Sequence, residues 1–172
     1  MNKKVLLLLF LLPVILYAQE TKHSKGMKEI QFGGGKTDLG YYGEAGFHNV
    51  LSTRFKLGGV ILYEAAKYKT IIFKSVYFLP ELRYKPIDLG NYLFINLGIG
   101  GVLNYSIIDL SATVENGKSV TGMNYGAELF IEPEFYVSDN IMLYGVIKRM
   151  WVTDRFLGTT ILLGGVGVKY SF

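Results

Sequence analysis

The 172-residue chain is 50% hydrophobic and 15% aromatic, with 21 glycines, 4 prolines and no cysteine. One domain suits that length, and the missing cysteines exclude a disulfide framework, a cysteine zinc site, a thiol nucleophile and the acceptor residue of a bacterial lipoprotein. The formal charge of +4 falls to +2 once Lys3 and Lys4 leave with an N-terminal leader, so charge argues neither for nor against nucleic-acid binding.

Lys3 and Lys4 precede an apolar run from Val5 to Tyr17, and Leu16-Tyr17-Ala18 offers a cleavage point before Gln19. That run is too short for a spanning helix, which needs about 20 residues. Residues 1–18 are therefore expected to be a cleaved signal peptide and 19–26 a polar periplasmic lead-in. Residues 27–172 are expected to form a single barrel domain.

From Met27 onward, alternation of apolar and polar positions takes over, the period of a β-strand. A first strand over about Lys28–Gly34 puts Ile30 and Phe32 on one face, with a turn at Gly35–Asp38. The second, Gly40–His48, sets Tyr41, Gly43, Ala45 and Phe47 against Tyr42, Glu44, Gly46 and His48. The third aligns Phe55, Leu57, Ile61 and Tyr63 opposite Arg54, Lys56, Val60 and Leu62, and Glu64–Tyr68 reads as a loop. The fourth descends to Tyr84, with Val76, Phe78 and Leu82 opposite Tyr77, Glu81 and Arg83. Pro80 lies within it, and Lys74 falls in its apolar phase unless it lies at a rim or beside a bulge. Pro86, Asp88 and Gly90 mark a turn over Lys85–Asn91.

The fifth strand keeps Leu93, Ile95, Leu97, Ile99, Leu103, Tyr105 and Ile107 in one phase. That run exceeds the five or six residues of an ordinary soluble strand and suits a tilted membrane strand of about ten with a rim extension. Asp109–Val120 is the longest polar stretch, with Asn116-Gly117 as a hairpin tip, and it is the expected partner-binding surface. In the sixth strand Met123, Tyr125, Leu129, Ile131 and Phe135 oppose Asn124, Glu128, Glu132 and Glu134, and a tight turn follows at Val137–Asn140. The seventh, Ile141–Val152, is apolar on both faces, so either Lys148 or Arg149 points outward. After a loop at Thr153–Thr159, the strand Thr160–Phe172 sets Leu162, Val166, Val168, Tyr170 and Phe172 against Leu163, Lys169 and Ser171.

Eight strands with alternating short and long connections predict an all-β, antiparallel, up-and-down transmembrane β-barrel. Alternation alone also serves a soluble barrel that turns its apolar face inward around a cavity. Strand length and the gathering of outward aromatics at strand ends favour the membrane form, because interfacial girdles require that placement. The last strand, with Tyr170 and Phe172, resembles the closing signature of bacterial outer-membrane barrels. That resemblance implies an assembly signal read by the insertion machinery.

An eight-strand barrel is just wide enough to be filled by side chains. The inward phase is expected to supply Glu44, Arg54, Lys56, Glu81, Arg83, Glu128, Glu132, Glu134 and Lys169 as an ion-pair plug, since charges away from water need partners. No catalytic constellation, cofactor motif or metal motif is read. His23 and His48 lack a serine–aspartate partner set, Glu128, Glu132 and Glu134 serve equally as structural acids, and Gly33-Gly34-Gly35 has no phosphate-loop context.

Glu132-Pro133-Glu134-Phe135-Tyr136-Val137-Ser138-Asp139-Asn140, then Lys148-Arg149-Met150-Trp151, then Gly164-Gly165-Val166-Gly167-Val168-Lys169-Tyr170 resemble the TraO family of conjugative-transposon transfer proteins. Gly40-Tyr41-Tyr42 and Ser24-Lys25-Gly26 fit it more loosely. The resemblance covers most of the mature chain, with its specific motifs in the C-terminal part. It implies an outer-membrane component of a DNA-transfer apparatus in a Gram-negative cell, with no catalytic motif. The implied partners are lipid, the insertion machinery and other apparatus proteins, and no direct nucleic-acid binding is expected. A generic surface barrel for adhesion or envelope integrity stands as the first alternative and an outer-membrane enzyme as the second.

Overall fold

A computed structural model describes residues 25–68, 71–89, 92–109, 120–153 and 159–172. Eight strands follow one another: β1 (Lys28–Thr37), β2 (Gly40–Val50), β3 (Phe55–Tyr68), β4 (Ile71–Leu89), β5 (Leu93–Asp109), β6 (Val120–Tyr136), β7 (Ile141–Val152) and β8 (Thr160–Ser171). Each pairs antiparallel with its sequence neighbour, and β8 closes on β1. The signal peptide, the lead-in up to Ser24 and nearly all of the Asp109–Val120 stretch lie outside the described residues.

Closure is staggered. One row of paired residues runs from Lys28 through Asn49, Leu57, Leu82, Ile99, Leu129 and Arg149 to Leu162. The next step, Leu162 O accepting from Asp38 N–H at 3.0 Å, returns to the first hairpin ten residues beyond Lys28. A stagger of that size tilts the strands by roughly 40° to the barrel axis.

Alternation runs the same way in every strand: the apolar phase faces out. Phe32, Ile61, Ile99, Tyr125, Ile147 and Val166 are exposed, whereas Glu29, His48, Arg83, Asn96, Glu134 and Lys169 are buried to 1% or less. A water-soluble barrel would invert this arrangement, leaving charge outside and Ile and Val within.

Several strands are longer than the sequence pattern predicts. Glu64–Tyr68 belongs to β3 rather than a loop, because an inward carboxylate is tolerated where a partner exists: Tyr77 Oη–H donates to Glu64 at 2.6 Å. Lys85–Leu89 continues β4 rather than turning. The β4–β5 register slips by one residue between Tyr84 and Ile87, so a bulge accommodates Pro86 and moves the outward phase from Tyr84 to Ile87. Lys74 points outward without a bulge, one outward step beyond the Tyr63–Val76–Tyr105 row and so at the rim. β1 extends to Thr37, which leaves a tighter turn than Gly35–Asp38. A Cβ on Gly33 would strike the Tyr144 phenol, and one on Gly165 of β8 the Tyr42 hydroxyl, so these positions make room for inward tyrosines.

Outward aromatics form two bands. Phe55, Tyr84, Phe135, Tyr170 and Phe172 ring the end holding the last residue, with Phe55 and Tyr84 at 5.1 Å and Tyr170 stacked on Phe172 at 6.1 Å. Tyr41, Tyr63, Tyr105, Tyr125 and Trp151 ring the far end. On β3 the two bands are Phe55 and Tyr63, a separation of about 20 Å along the axis, close to the ~25 Å apolar height of outer-membrane barrels.

Candidate functional site

The barrel lumen is the place where charge has been gathered against its natural preference for water. At its terminal end Phe94, Tyr136 and Met142 close the floor, with Phe94 and Tyr136 edge to face at 5.5 Å. Above the floor lies a continuous ion-pair network. Lys56 Nζ lies 2.9 Å from Glu29 and 3.0 Å from Glu134. Lys169 Nζ bridges Glu134 and Glu132, each at 2.5 Å. Arg83 joins Glu132 at 2.8 Å to Glu81 at 2.5 Å, and Lys148 links Glu81 at 2.5 Å to Glu128 at 3.2 Å. Asn96 adds a donor to Glu132 at 3.3 Å.

The chain of pairs explains how these groups are tolerated so far from bulk water. Each named cation touches two carboxylates, and Glu81, Glu132 and Glu134 each touch two cations, so removing any one leaves its neighbours only partly compensated. Glu44 is held differently, accepting from Tyr144 Oη–H at 2.6 Å and Gln31 Nε2–H at 3.3 Å.

Toward the far end the lumen changes character. Val60, Leu62, Leu79, Val102, Met150 and Leu163 pack into an apolar layer with Tyr42 and Tyr77. Phe130 joins the two regions, with the Arg83 guanidinium 5.2 Å and the Lys148 ammonium 4.8 Å from its ring centre. Its ring lies across Gly98, where a Cβ would fall inside it. Gly98→Ala is expected to displace Phe130 and cost about 1–3 kcal/mol as overpacking, read as a lower urea midpoint in lipid vesicles. An unchanged midpoint would show that the ring is free to move.

Eight of the nine residues read from sequence as lumen groups lie inside: Glu44, Lys56, Glu81, Arg83, Glu128, Glu132, Glu134 and Lys169. Arg54 does not. It sits in the β2–β3 turn before β3 begins at Phe55, and it is solvent-exposed. Alternation carried one residue too far upstream assigned it inward; Ser52, whose hydroxyl accepts from the Arg54 and Phe55 amides at 3.3 and 3.1 Å, shapes a turn there instead. Lys148, whose phase the apolar sequence of β7 left open, points in, and Arg149 points out with its guanidinium 5.3 Å from the Trp151 ring.

Glu29, Glu64 and His48 also lie in the lumen, beyond the nine residues that the sequence pattern singles out. For Glu29 and His48 the signal was present, since they share the phase of Gln31 and Glu44 respectively. His48 is fully buried with Nε2 3.5 Å from Glu81, and such an enclosed pair offers a substrate no access. Glu132 and Glu134, which could be read as paired catalytic acids, are likewise occupied by Lys169 between them.

No protein-family model and no curated protein matches the sequence. Solved structures match the fold. The N-terminal β-barrel domain of Pseudomonas aeruginosa OprF aligns with a TM-score of 0.67 at 11% identity, covering 86% of this chain and 98% of that one. Neisserial surface protein A (NspA) aligns at 0.69 and 13% identity over 85% and 96% of the two chains. Ail, the attachment invasion locus protein of Yersinia pestis, aligns at 0.61 and 9% identity over 86% and 99%. The fold is that of small eight-stranded outer-membrane barrels.

Proposed function

We propose that this chain is a non-enzymatic, non-conducting barrel of the Gram-negative outer membrane that serves a conjugative DNA-transfer apparatus through partner contacts. The observation that carries the non-conducting part is the filled lumen, where Arg83, Lys169, Tyr136 and Met142 are each buried to 1% or less. A solid barrel can act only through its outer wall, its rims and its connections. The outward apolar face and its two aromatic bands support insertion in a bilayer. The assignment to the transfer apparatus rests on the resemblance of the Glu132–Asn140, Lys148–Trp151 and Gly164–Tyr170 segments to the TraO family. In this reading the surrounding lipid, the insertion machinery, which reads Tyr170 and Phe172, and other apparatus proteins are the partners, and DNA is not contacted directly. The Asp109–Val120 connection, outside the described residues apart from its ends, is the proposed partner-binding surface.

Deleting the gene in a donor strain tests the proposal. Mating frequency is expected to fall sharply and to be restored by the wild-type gene, while the protein fractionates with the outer membrane and shows heat-modifiable gel mobility. Unchanged transfer accompanied by altered surface adhesion would reject the proposal in favour of a general surface barrel, a role that the name of Ail also suggests.

A further inference from the structure

Two charges break the apolar outer face. On the described outward positions between the two aromatic bands, the charged residues are Lys36 of β1 and Arg149 of β7, and both are basic. They flank β8: Lys36 pairs in register with Gly164, and Arg149 with Leu162, one outward position further along the same strand. Both therefore sit just inside the far aromatic band, and each reaches one of its rings. Lys36 Nζ lies 5.5 Å from the Tyr41 ring centre and the Arg149 guanidinium 5.3 Å from that of Trp151.

Cations on a lipid-facing wall are costly unless they reach polar groups, and long side chains near the interface do so by extending toward the headgroups. Two such cations on one side of the barrel, at one level, outnumber the one acid beside them, Asp38 of the β1–β2 turn, and leave a net positive charge for a headgroup to meet. Below them the wall is furrowed. A groove of about 540 Å³ begins at Arg149 and Ile147 and runs past Ile131, Leu97 and Gly98 to Tyr84. A second, of about 360 Å³, lies between Lys36 and Ile147 over Gly164 and Leu162, with Asp38 of the β1–β2 turn on its wall. The two grooves meet at Ile147.

We propose that this face binds a phosphate-bearing, multiply acylated lipid of the outer leaflet, with Lys36 and Arg149 holding phosphate and the paired grooves seating acyl chains. Charge complementarity names the headgroup, since Arg and Lys are the side chains suited to phosphate oxygens. Groove chemistry names the tails, because apart from Lys36, Asp38 and Arg149 the walls are mainly Leu82, Leu97, Ile131, Ile147 and Leu162 with bare glycine and the Tyr84 and Phe130 rings. The proposal rests on the membrane-barrel reading but not on the transfer-apparatus assignment.

The test uses the full mature chain in detergent micelles with bisphosphorylated, hexa-acylated lipid A as probe, read by native mass spectrometry. A one-to-one adduct is expected, weakened at least about tenfold when the lipid is dephosphorylated or when Lys36→Gln and Arg149→Gln are combined. Gly164→Leu puts a side chain into a groove at a position where a Cβ meets nothing nearer than Val146 O at 3.8 Å, and it should weaken binding as well. Heat-modifiable mobility of every variant separates the two readings. Folded, inserted barrels that bind phosphorylated and dephosphorylated lipid equally would overturn the lipid site alone. A wild-type chain that fails to insert into vesicles would overturn the membrane reading and this site with it. Dimers in place of lipid adducts would assign the grooved face to a second copy of the chain and reject the proposal.

Discussion

Glu132→Ala is expected to lower barrel stability by about 3–5 kcal/mol, the usual cost of breaking one side of a buried ion pair. Its carboxylate accepts from Arg83 at 2.8 Å, Lys169 at 2.5 Å and Asn96 at 3.3 Å, with side-chain exposures of 1–2% or less for the ionic partners. Screening by solvent is therefore slight. The loss should fall toward the lower end of that range, because Arg83 keeps Glu81 and Lys169 keeps Glu134. Glu132→Gln, which preserves volume and an acceptor oxygen, should cost less than alanine. Urea unfolding in lipid vesicles reads the difference, and combining Glu132→Ala with Lys169→Met should give less than the sum of the single losses if the two groups act together. A midpoint for Glu132→Ala indistinguishable from wild type would mean that the carboxylate contributes nothing to the network. Neither wild type nor variant should pass stable ion-sized currents in planar bilayers. The packed apolar layer of Leu62, Leu79, Val102 and Met150 is expected to keep the lumen closed independently of the ion pairs.

Removing Phe172 is expected to impair assembly in cells far more than it impairs the folded barrel. Structurally the residue contributes two backbone hydrogen bonds, Lys28 N–H to Phe172 O and Phe172 N–H to Lys28 O, both at 2.9 Å, and a ring stacked on Tyr170. Their loss should cost roughly 1–3 kcal/mol at about 1 kcal/mol per net hydrogen bond. That is small for a seam in which Glu29 through Thr37 pair with β8. If Tyr170 and Phe172 also carry the signal read by the insertion machinery, the heat-modifiable fraction in cells should fall severalfold, while the purified, refolded variant inserts into vesicles nearly as well as wild type. Equal losses in both settings would reduce Phe172 to a structural residue. Normal assembly in cells would count against the signal and weaken the membrane reading.

Much of the architecture was legible in the order of residues. Alternation in Leu93–Ile107 and Thr160–Phe172, and the separation of Glu128, Glu132, Glu134 and Lys169 from the apolar phase of their strands, follow from the two-residue period of a strand, and Val137–Asn140 reads as a turn from its residue types. Strand ends were less legible. Glu64–Tyr68 and Lys85–Leu89 carry charge and proline, which locally mean loop, yet in a barrel the lumen accepts charge and a bulge accepts Pro86. In β7 both phases are apolar, and only pairing with β6 and β8 could turn Lys148 in and Arg149 out.

Which side chains share a face, and where strand must follow strand, were thus written into residues two apart; that the apolar face turns outward is decided by the closed sheet. So is which charges meet. Lys169 touches Glu132 and Glu134 from 37 and 35 positions away, and Lys148 reaches Glu81 across 67. Those distances close only because a ten-residue stagger brings particular inward positions of non-adjacent strands to one level of the lumen. The same stagger sets Lys36 and Arg149 side by side on the outer wall. A period is a local property of the chain, and a stagger belongs to the closed sheet.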